Sequence, residues 1–163
     1  MSLIWLLGPP GAGKSTYVRN YSSRAYVEFT DMLGPLTHPW NLESGVMTAN
    51  SHLIQIIREI KSASKNDFPP DLIVVAGCVR ESALFPLKVG EEVWVILPER
   101  GRWKKQLSNR PKKYASTPLF HNVQFSENLF DTISEMASRR KLKIINVPFE
   151  LSKIGMIAEN EDL

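Results

Sequence analysis

Cysteine is nearly missing from this chain of 163 residues: Cys78 stands alone. A single cysteine excludes an internal disulfide and fits a reducing compartment. Histidine is scarce as well. His38, His52 and His121 lie far apart in no metal-ligand spacing, so they read as ordinary surface or core histidines. Long hydrophobic runs are missing too. The first apolar run, Leu3-Ile4-Trp5-Leu6-Leu7, is interrupted at once by Gly and Pro. It is too short for a membrane span or a secretory signal, and no basic leader precedes it, so the expectation is a cytoplasmic chain without a membrane partner. No internal repeat, low-complexity tract or linker breaks the chain. Neither sign of charge dominates: 20 Lys and Arg against 17 Asp and Glu give a formal net charge of +3. That mildly basic balance permits a nucleic-acid or phosphorylated partner without demanding one. With 43% hydrophobic residues, residues 1–163 are enough for one domain with a sizeable core and short for two.

What is present is a complete phosphate-binding pattern, G-x-x-x-x-G-K-[ST], in Gly8-Pro9-Pro10-Gly11-Ala12-Gly13-Lys14-Ser15-Thr16. The apolar run before it reads as a buried strand, and Lys14 to Tyr21 after it reads as the first turns of a helix. Amides at a helix start have no internal partner and carry the positive end of the helix dipole. Pro9 and Pro10 have no N–H, so the anion cradle must be built from Gly11, Ala12, Gly13, Lys14, Ser15 and Thr16. Gly8, Gly11 and Gly13 complete the pattern, and the latter two permit backbone angles and a close approach that side chains would block. Lys14 is placed to reach the β- and γ-phosphates of a nucleoside triphosphate, and the Ser15 hydroxyl to ligate Mg²⁺.

Five strand candidates alternate with helix candidates: Leu3 to Leu7, Ala25 to Phe29, Leu72 to Ala76, Val93 to Leu97 and Leu142 to Val147. The third has no polar alternation, as expected of a strand covered on both faces. Between the second and third lies a helix with Leu53, Ile56, Ile57 and Ile60 on one stripe. A later helix is expected to start near Ser126 as a cap, carry Leu129, Ile133, Met136 and Ala137 on one stripe, and end in Arg139-Arg140-Lys141. Strands alternating with helices predict an α/β fold with a parallel sheet covered on both faces. Ligands of such sheets bind beyond the carboxyl ends of the strands. The phosphate loop, Asp31, the stretch Gly77 to Arg80 and the stretch Pro98 to Arg102 all follow strand ends and are expected on one rim.

On that rim Asp31 can act as general base toward an acceptor hydroxyl or hold Mg²⁺ through water; the plain alternative is a turn aspartate before Gly34-Pro35. Asp31-Met32-Leu33-Gly34 also matches the D-x-x-G of GTPases, but no N-K-x-D follows to read guanine. The third strand ends in Ala76-Gly77, without the acid that a water-activating ATPase uses there, which argues for transfer to a bound acceptor; Glu81 is a possible substitute. Arg80 is a candidate anion clamp or a surface arginine. The segment from Pro98 to Lys113 is dense in Lys and Arg. Trp103 and Leu107, four apart, are expected to face inward, with the cations facing solvent or nucleotide. A lid at about residues 98–118 would bring Arg100, Arg102 or Arg110 to the β/γ bridge, unless it is only a solvated basic helix. Trp40, in the loop after Asp31, either stacks on a base or anchors the loop. Trp5 and Trp94, within strands, are expected in the core.

On these residues the chain resembles the small P-loop kinase group that includes nucleoside monophosphate kinases, shikimate kinase and the kinase domain of phage-type polynucleotide kinase. The resemblance runs from Leu3 to about Arg110 and is strongest at Gly8 to Thr16. Asp31 falls near the acceptor-binding or general-base aspartate of the group. Ala76-Gly77-Cys78-Val79-Arg80 looks like the D-G-x-P-R turn of nucleotide kinases with only Gly77 and Arg80 retained. Leu97 through Pro111 looks like the arginine-bearing lid helix. Two departures stand out: Ala76 replaces the acid, and Gly34 stands where polynucleotide kinases carry an arginine. The resemblance implies a five-stranded sheet ordered 2-3-1-4-5. The expectation is an ATP- and Mg²⁺-dependent kinase whose catalytic set is Lys14, Asp31, Arg80 and Arg102, with Arg102 and Arg110 also on the nucleotide and Ser15 and Asp31 on the metal. The expected acceptor is a hydroxyl of a nucleic acid or nucleotide, either a 5′-hydroxyl or a hydroxymethylated base. A small-metabolite kinase and a nucleotide-gated binding module without turnover are the alternatives.

Overall fold

The computed structural model describes residues 2–29, 43–64, 67–77, 79–109 and 123–146. In chain order its elements are β1 (Leu3–Leu7), α1 (Lys14–Asn20), β2 (Tyr26–Glu28), α2 (Glu43–Ser64), β3 (Leu72–Gly77), α3 (Glu81–Leu84), β4 (Glu91–Ile96), α4 (Arg100–Asn109), α5 (Val123–Arg140) and β5 (Lys143–Ile145). The strands form one parallel sheet in the order β2-β3-β1-β4-β5, as the resemblance implied. β1 lies at its centre, paired with β3 on one side and β4 on the other. A central strand has no solvated face, so all five residues of β1 are buried and none is polar.

Alternation along the strands divides the core in two. Leu3, Trp5 and Leu7 join Val74, Val93 and Val95 on one face, under Ile54 and Ile57 of α2, Leu84 of α3, and Ile133, Met136 and Ala137 of α5. Ile4 and Leu6 join Ile73, Val75, Trp94 and Ile96 on the other face, under Val18 of α1 and Trp103 of α4, with Phe130 of α5 at its margin. Trp5 and Trp94 are core residues, as expected.

Two sequence expectations need correction. The stripe Leu53, Ile56, Ile57, Ile60 is not the buried face of α2: Ile54 and Ile57 face the core, while Ile56 and Ile60 are 44% and 48% exposed. Apolar residues at 53, 54, 56, 57 and 60 fit two overlapping stripes of the same period, and contact with the sheet selects between them. Ser126 is not a cap. α5 begins at Val123, and Ser126 lies within its first turn, fully buried with no partner for its hydroxyl among the described residues. The remainder of that helix follows expectation: Leu129, Ile133, Met136 and Ala137 are buried and Arg139 and Arg140 occupy the last turn.

At the end of the sheet away from the phosphate loop, Arg58 of α2 grips Glu91, the first residue of β4. Its Nη2 donates to Glu91 Oε1 at 2.7 Å and its Nε to Oε2 at 2.9 Å. Nη2 also donates to the Leu84 carbonyl at 2.8 Å, and Trp5 Nε1 donates to Glu91 Oε1 at 3.1 Å. Burial pushes the Glu91 carboxyl up, but hydrogen bonds from Arg58, Trp5 and the Lys88 amide outweigh it and hold it below its ordinary value. One ion pair thus joins α2, α3, β1 and β4.

Candidate functional site

Residues 8 to 13 form a loop between the central strand and α1. Ala12 N donates to the Pro9 carbonyl at 3.2 Å, closing a four-residue turn. Pro10 and Gly11 are its middle residues, and Gly11 has φ 78°. Proline at the first middle position and a positive-φ glycine at the second are the signature of a type II turn. Gly13 then takes φ 101°, ψ 20° as the residue preceding α1, and its carbonyl accepts from Tyr17 N at 2.9 Å. Both positive φ values disfavour a side chain, and at Gly11 an added Cβ would also meet the Cα of Leu107 at 3.3 Å. Gly8 is held for a different reason: a Cβ there would lie 2.8 Å from the Ile96 carbonyl oxygen of β4.

The loop is pinned from outside by α4. Trp103, fully buried, donates from Nε1 to the Pro10 carbonyl at 2.8 Å and stacks on Phe130 with ring centroids 4.7 Å apart. Trp103 and Leu107 face inward, as their spacing predicted. The outward cations are not all turned to the site, however. Arg100 pairs with Asp131 of α5 and lies over the Phe130 ring, and Lys104 pairs with Glu127 at 3.0 Å. α5 carries carboxylates opposite these cations, a match between two helices that local sequence does not reveal. Glu99 caps α4, its carboxylate accepting from the amides of Gly101 and Arg102 at 2.9 Å each, bonds that hold it below the usual carboxylate range. Arg102 thus lies in the first turn of the helix that leans on the phosphate loop.

Lys14 Nζ lies over the loop, donating at 2.8 Å to both the Gly8 and Pro9 carbonyls. Ser15 Oγ donates to Oε1 of Glu28, whose other oxygen, Oε2, meets Arg19 Nη2 at 3.3 Å. Glu28 ends β2 and is 4% exposed. It is the functional candidate that sequence reasoning missed. The available signal was an acid inside a strand candidate, one residue from its end, on the rim side. The donor set of a serine hydroxyl beside a buried carboxylate is hard oxygen, which suits Mg²⁺. An acid beside the loop is thus present, supplied by β2 where the end of β3 supplies none.

β3 ends at Gly77, with φ 72°, whose carbonyl faces Gly8 N at 3.5 Å. Arg80 precedes α3 in extended backbone and is exposed. Glu81 does not stand in for the missing acid. Its carboxylate is held by Arg139 at 2.9 and 2.5 Å and by Arg140 at 2.5 Å, at the far end of α5, and these bonds lower its pKa to about 2. Asp31, Arg110, Cys78, Trp40 and the D-x-x-G stretch lie outside the described residues.

No family model matches the chain and no curated protein matches it. Solved structures do. A shikimate kinase from Acinetobacter baumannii in complex with shikimate is 17% identical with a TM-score of 0.59, over 100% of this chain and 96% of that one. A sugar kinase from Janibacter sp. is 13% identical with a TM-score of 0.55, over 96% and 93%. A deoxyadenosine kinase from M. mycoides with bound dATP is 13% identical with a TM-score of 0.52, over 100% of both chains. The sheet order, the phosphate loop after its central strand and these matches along nearly the whole length agree on one conclusion: the chain has the fold of the small P-loop kinases.

Proposed function

We propose that the protein is a kinase that moves the γ-phosphoryl group of Mg-ATP to a hydroxyl of a small acceptor. One observation carries the reading: the left-handed Gly13 opens α1 beneath Lys14, and beside them the Ser15 hydroxyl meets a buried carboxylate, Glu28. The amides of Gly11, Ala12, Gly13, Lys14, Ser15 and Thr16 would cradle the phosphates, Gly8 giving the loop its close passage under β4. Lys14 would exchange two loop carbonyls for phosphate oxygens, a trade of neutral partners for charged ones that favours the ligand. Ser15 and Glu28 would hold Mg²⁺, with Asp31 as a further candidate. Bound there, the metal neutralises charge on the phosphate oxygens. Asp31 would accept the proton of the attacking hydroxyl. Arg80 would grip an anionic group of the acceptor, and Arg102 and Arg110 would steady the transferring group and the nucleotide.

The small acceptor is favoured over nucleic acid by the pairing of Arg100 with Asp131 and Lys104 with Glu127, which neutralises half of the described cations of α4. A backbone-tracking surface needs those charges unneutralised. The mildly basic chain and exposed Lys105 and Arg80 favour the second reading, a single-stranded nucleic-acid acceptor. Transfer of radiolabelled γ-phosphate from ATP to small alcohols, mononucleotides and oligonucleotides tests both. Labelling of a small alcohol or mononucleotide, lost in Lys14→Ala, is expected. Labelling of oligonucleotides alone, with steeply salt-dependent binding, would replace the first reading by the second. Absence of both transfer and ATP binding would remove both.

A further inference from the structure

We infer that Trp103 is a positioning residue for the triphosphate cradle: it locks the middle peptide of the loop's turn in the orientation that binds phosphate. This rests on the kinase reading for its ligand, but the lock itself is read from geometry. Type I and type II turns differ by rotation of the peptide between the two middle residues, through roughly half a turn. Here that peptide joins Pro10 to Gly11. Glycine is equally at ease on either side of φ = 0, so Gly11 does not choose between the two forms. Trp103 does. Its indole N–H takes the Pro10 carbonyl at 2.8 Å, on the side of α4. The Pro10–Gly11 peptide is trans, so its N–H points opposite to its carbonyl. With the carbonyl tied to α4, the Gly11 amide is turned away from α4, and no carbonyl oxygen of this peptide is presented to an anion in the cradle. Rotating the peptide would reverse both groups, losing a donor and adding a repelling oxygen.

Trp103 is packed among residues of α4, α5 and the loop. Phe130 stacks on the indole, Arg100 and Lys104 on either side are paired to α5, and Leu107 lies against Gly11. Pro9 and Gly8 carbonyls are occupied by Lys14 Nζ, so three successive carbonyls, Gly8, Pro9 and Pro10, are each held by a side-chain donor. Lys14 must leave its two to reach phosphate; Trp103, buried with its N–H on the Pro10 carbonyl, need not. It therefore keeps the turn set both before and after nucleotide arrives.

Pro10 is buried, so without the indole N–H its carbonyl has no water to turn to and is driven to rotate. Ligand affinity then falls by the factor by which the competent turn is depleted. A hydrogen bond of ordinary strength puts that factor at about five. The test is calorimetry with Mg-ATP and with inorganic tripolyphosphate, which senses the cradle alone. Two variants are compared with wild type. One is Trp103→Phe. The other carries 3-benzothienylalanine at position 103, which keeps the indole's shape, places sulfur where the N–H was, and remains informative if Trp103→Phe fails to fold. Phe130→Leu is the control that loosens the stack but keeps the donor. The expected result is a loss of about fivefold for both ligands with the benzothienyl residue, and wild-type affinity in Phe130→Leu despite a lower Tm. Wild-type affinity in the benzothienyl protein would overturn the lock while leaving the kinase reading intact. A wild-type protein that binds neither ligand would overturn both.

Discussion

Replacing Glu28 by Gln separates a structural from a metal-binding role for the carboxylate on β2. The exchange preserves volume and leaves an amide oxygen to accept from Ser15 Oγ. What is lost is the charge and its contact with Arg19. Arg19 is 54% exposed, so that contact contributes at most about 1 kcal/mol, and relief from burying a carboxylate offsets part of it. Stability should therefore change by no more than about 1 kcal/mol, readable as a small shift in Tm. The metal sees a different change. Interactions of a charged oxygen contribute about 1.5–3 kcal/mol, so the Mg²⁺-dependent part of ATP affinity should fall by about ten- to 150-fold. Calorimetric titration with ATP, once with Mg²⁺ and once with EDTA, measures that part directly. Wild type should bind more tightly with Mg²⁺. Glu28→Gln should keep the EDTA affinity and lose most of the Mg²⁺ increment. A variant that retains the full increment would refute the assignment of Glu28 to the metal.

Glu91→Gln should destabilise the protein by about 3–5 kcal/mol in denaturant unfolding, because Arg58, 13% exposed, is left without its charge partner. Acid should also destabilise wild type: the folded-state pKa of Glu91 lies below its ordinary value, so its contribution is present above the unfolded pKa of about 4.5 and is lost as pH falls further. Glu81, lowered to about 2 by Arg139 and Arg140, contributes likewise above pH 4.5 and loses its contribution between about pH 4.5 and 2; Glu81→Gln should flatten the Tm-versus-pH curve in that window without altering Mg-ATP affinity. Gly8→Ala should cost about 1–3 kcal/mol in chemical denaturation, since the added Cβ meets the Ile96 carbonyl oxygen at 2.8 Å and that oxygen belongs to the backbone of β4. Gly13→Ala meets nothing within 4 Å and should be penalised only through its φ of 101°.

Much of the site was legible because the phosphate loop is a local device. The nine residues Gly8 to Thr16 are consecutive and carry their glycines, lysine and hydroxyl at fixed spacing, so Gly11, Gly13, Lys14 and Ser15 were readable, although what holds the turn from outside was not. Leu3–Leu7 was readable for a related reason: a strand with no solvated face must be apolar throughout. Glu28 was not. Its significance is that β2, beyond β3 in the sheet, brings it against Ser15, and a lone acid in a short strand looks like an ordinary polar position. The α2 stripe failed for want of the same information. Two faces satisfy its period, and only the docked sheet distinguishes Ile54 from Ile56. Ser126 was a plausible cap by residue type, but the helix starts at Val123 and carries it into the core.

By itself, then, the order of residues determined the alternation of strands and helices and the phosphate loop between the first pair, because periodicity, turn chemistry and glycine angles act over a few residues. Tertiary structure decided which acid stands beside Ser15, which way Glu81 faces, how the cations of α4 are paired and what holds the Pro10 carbonyl. Each of those is a contact between residues well apart along the chain, brought together by the packing of strands and helices, and no local pattern encodes the partner.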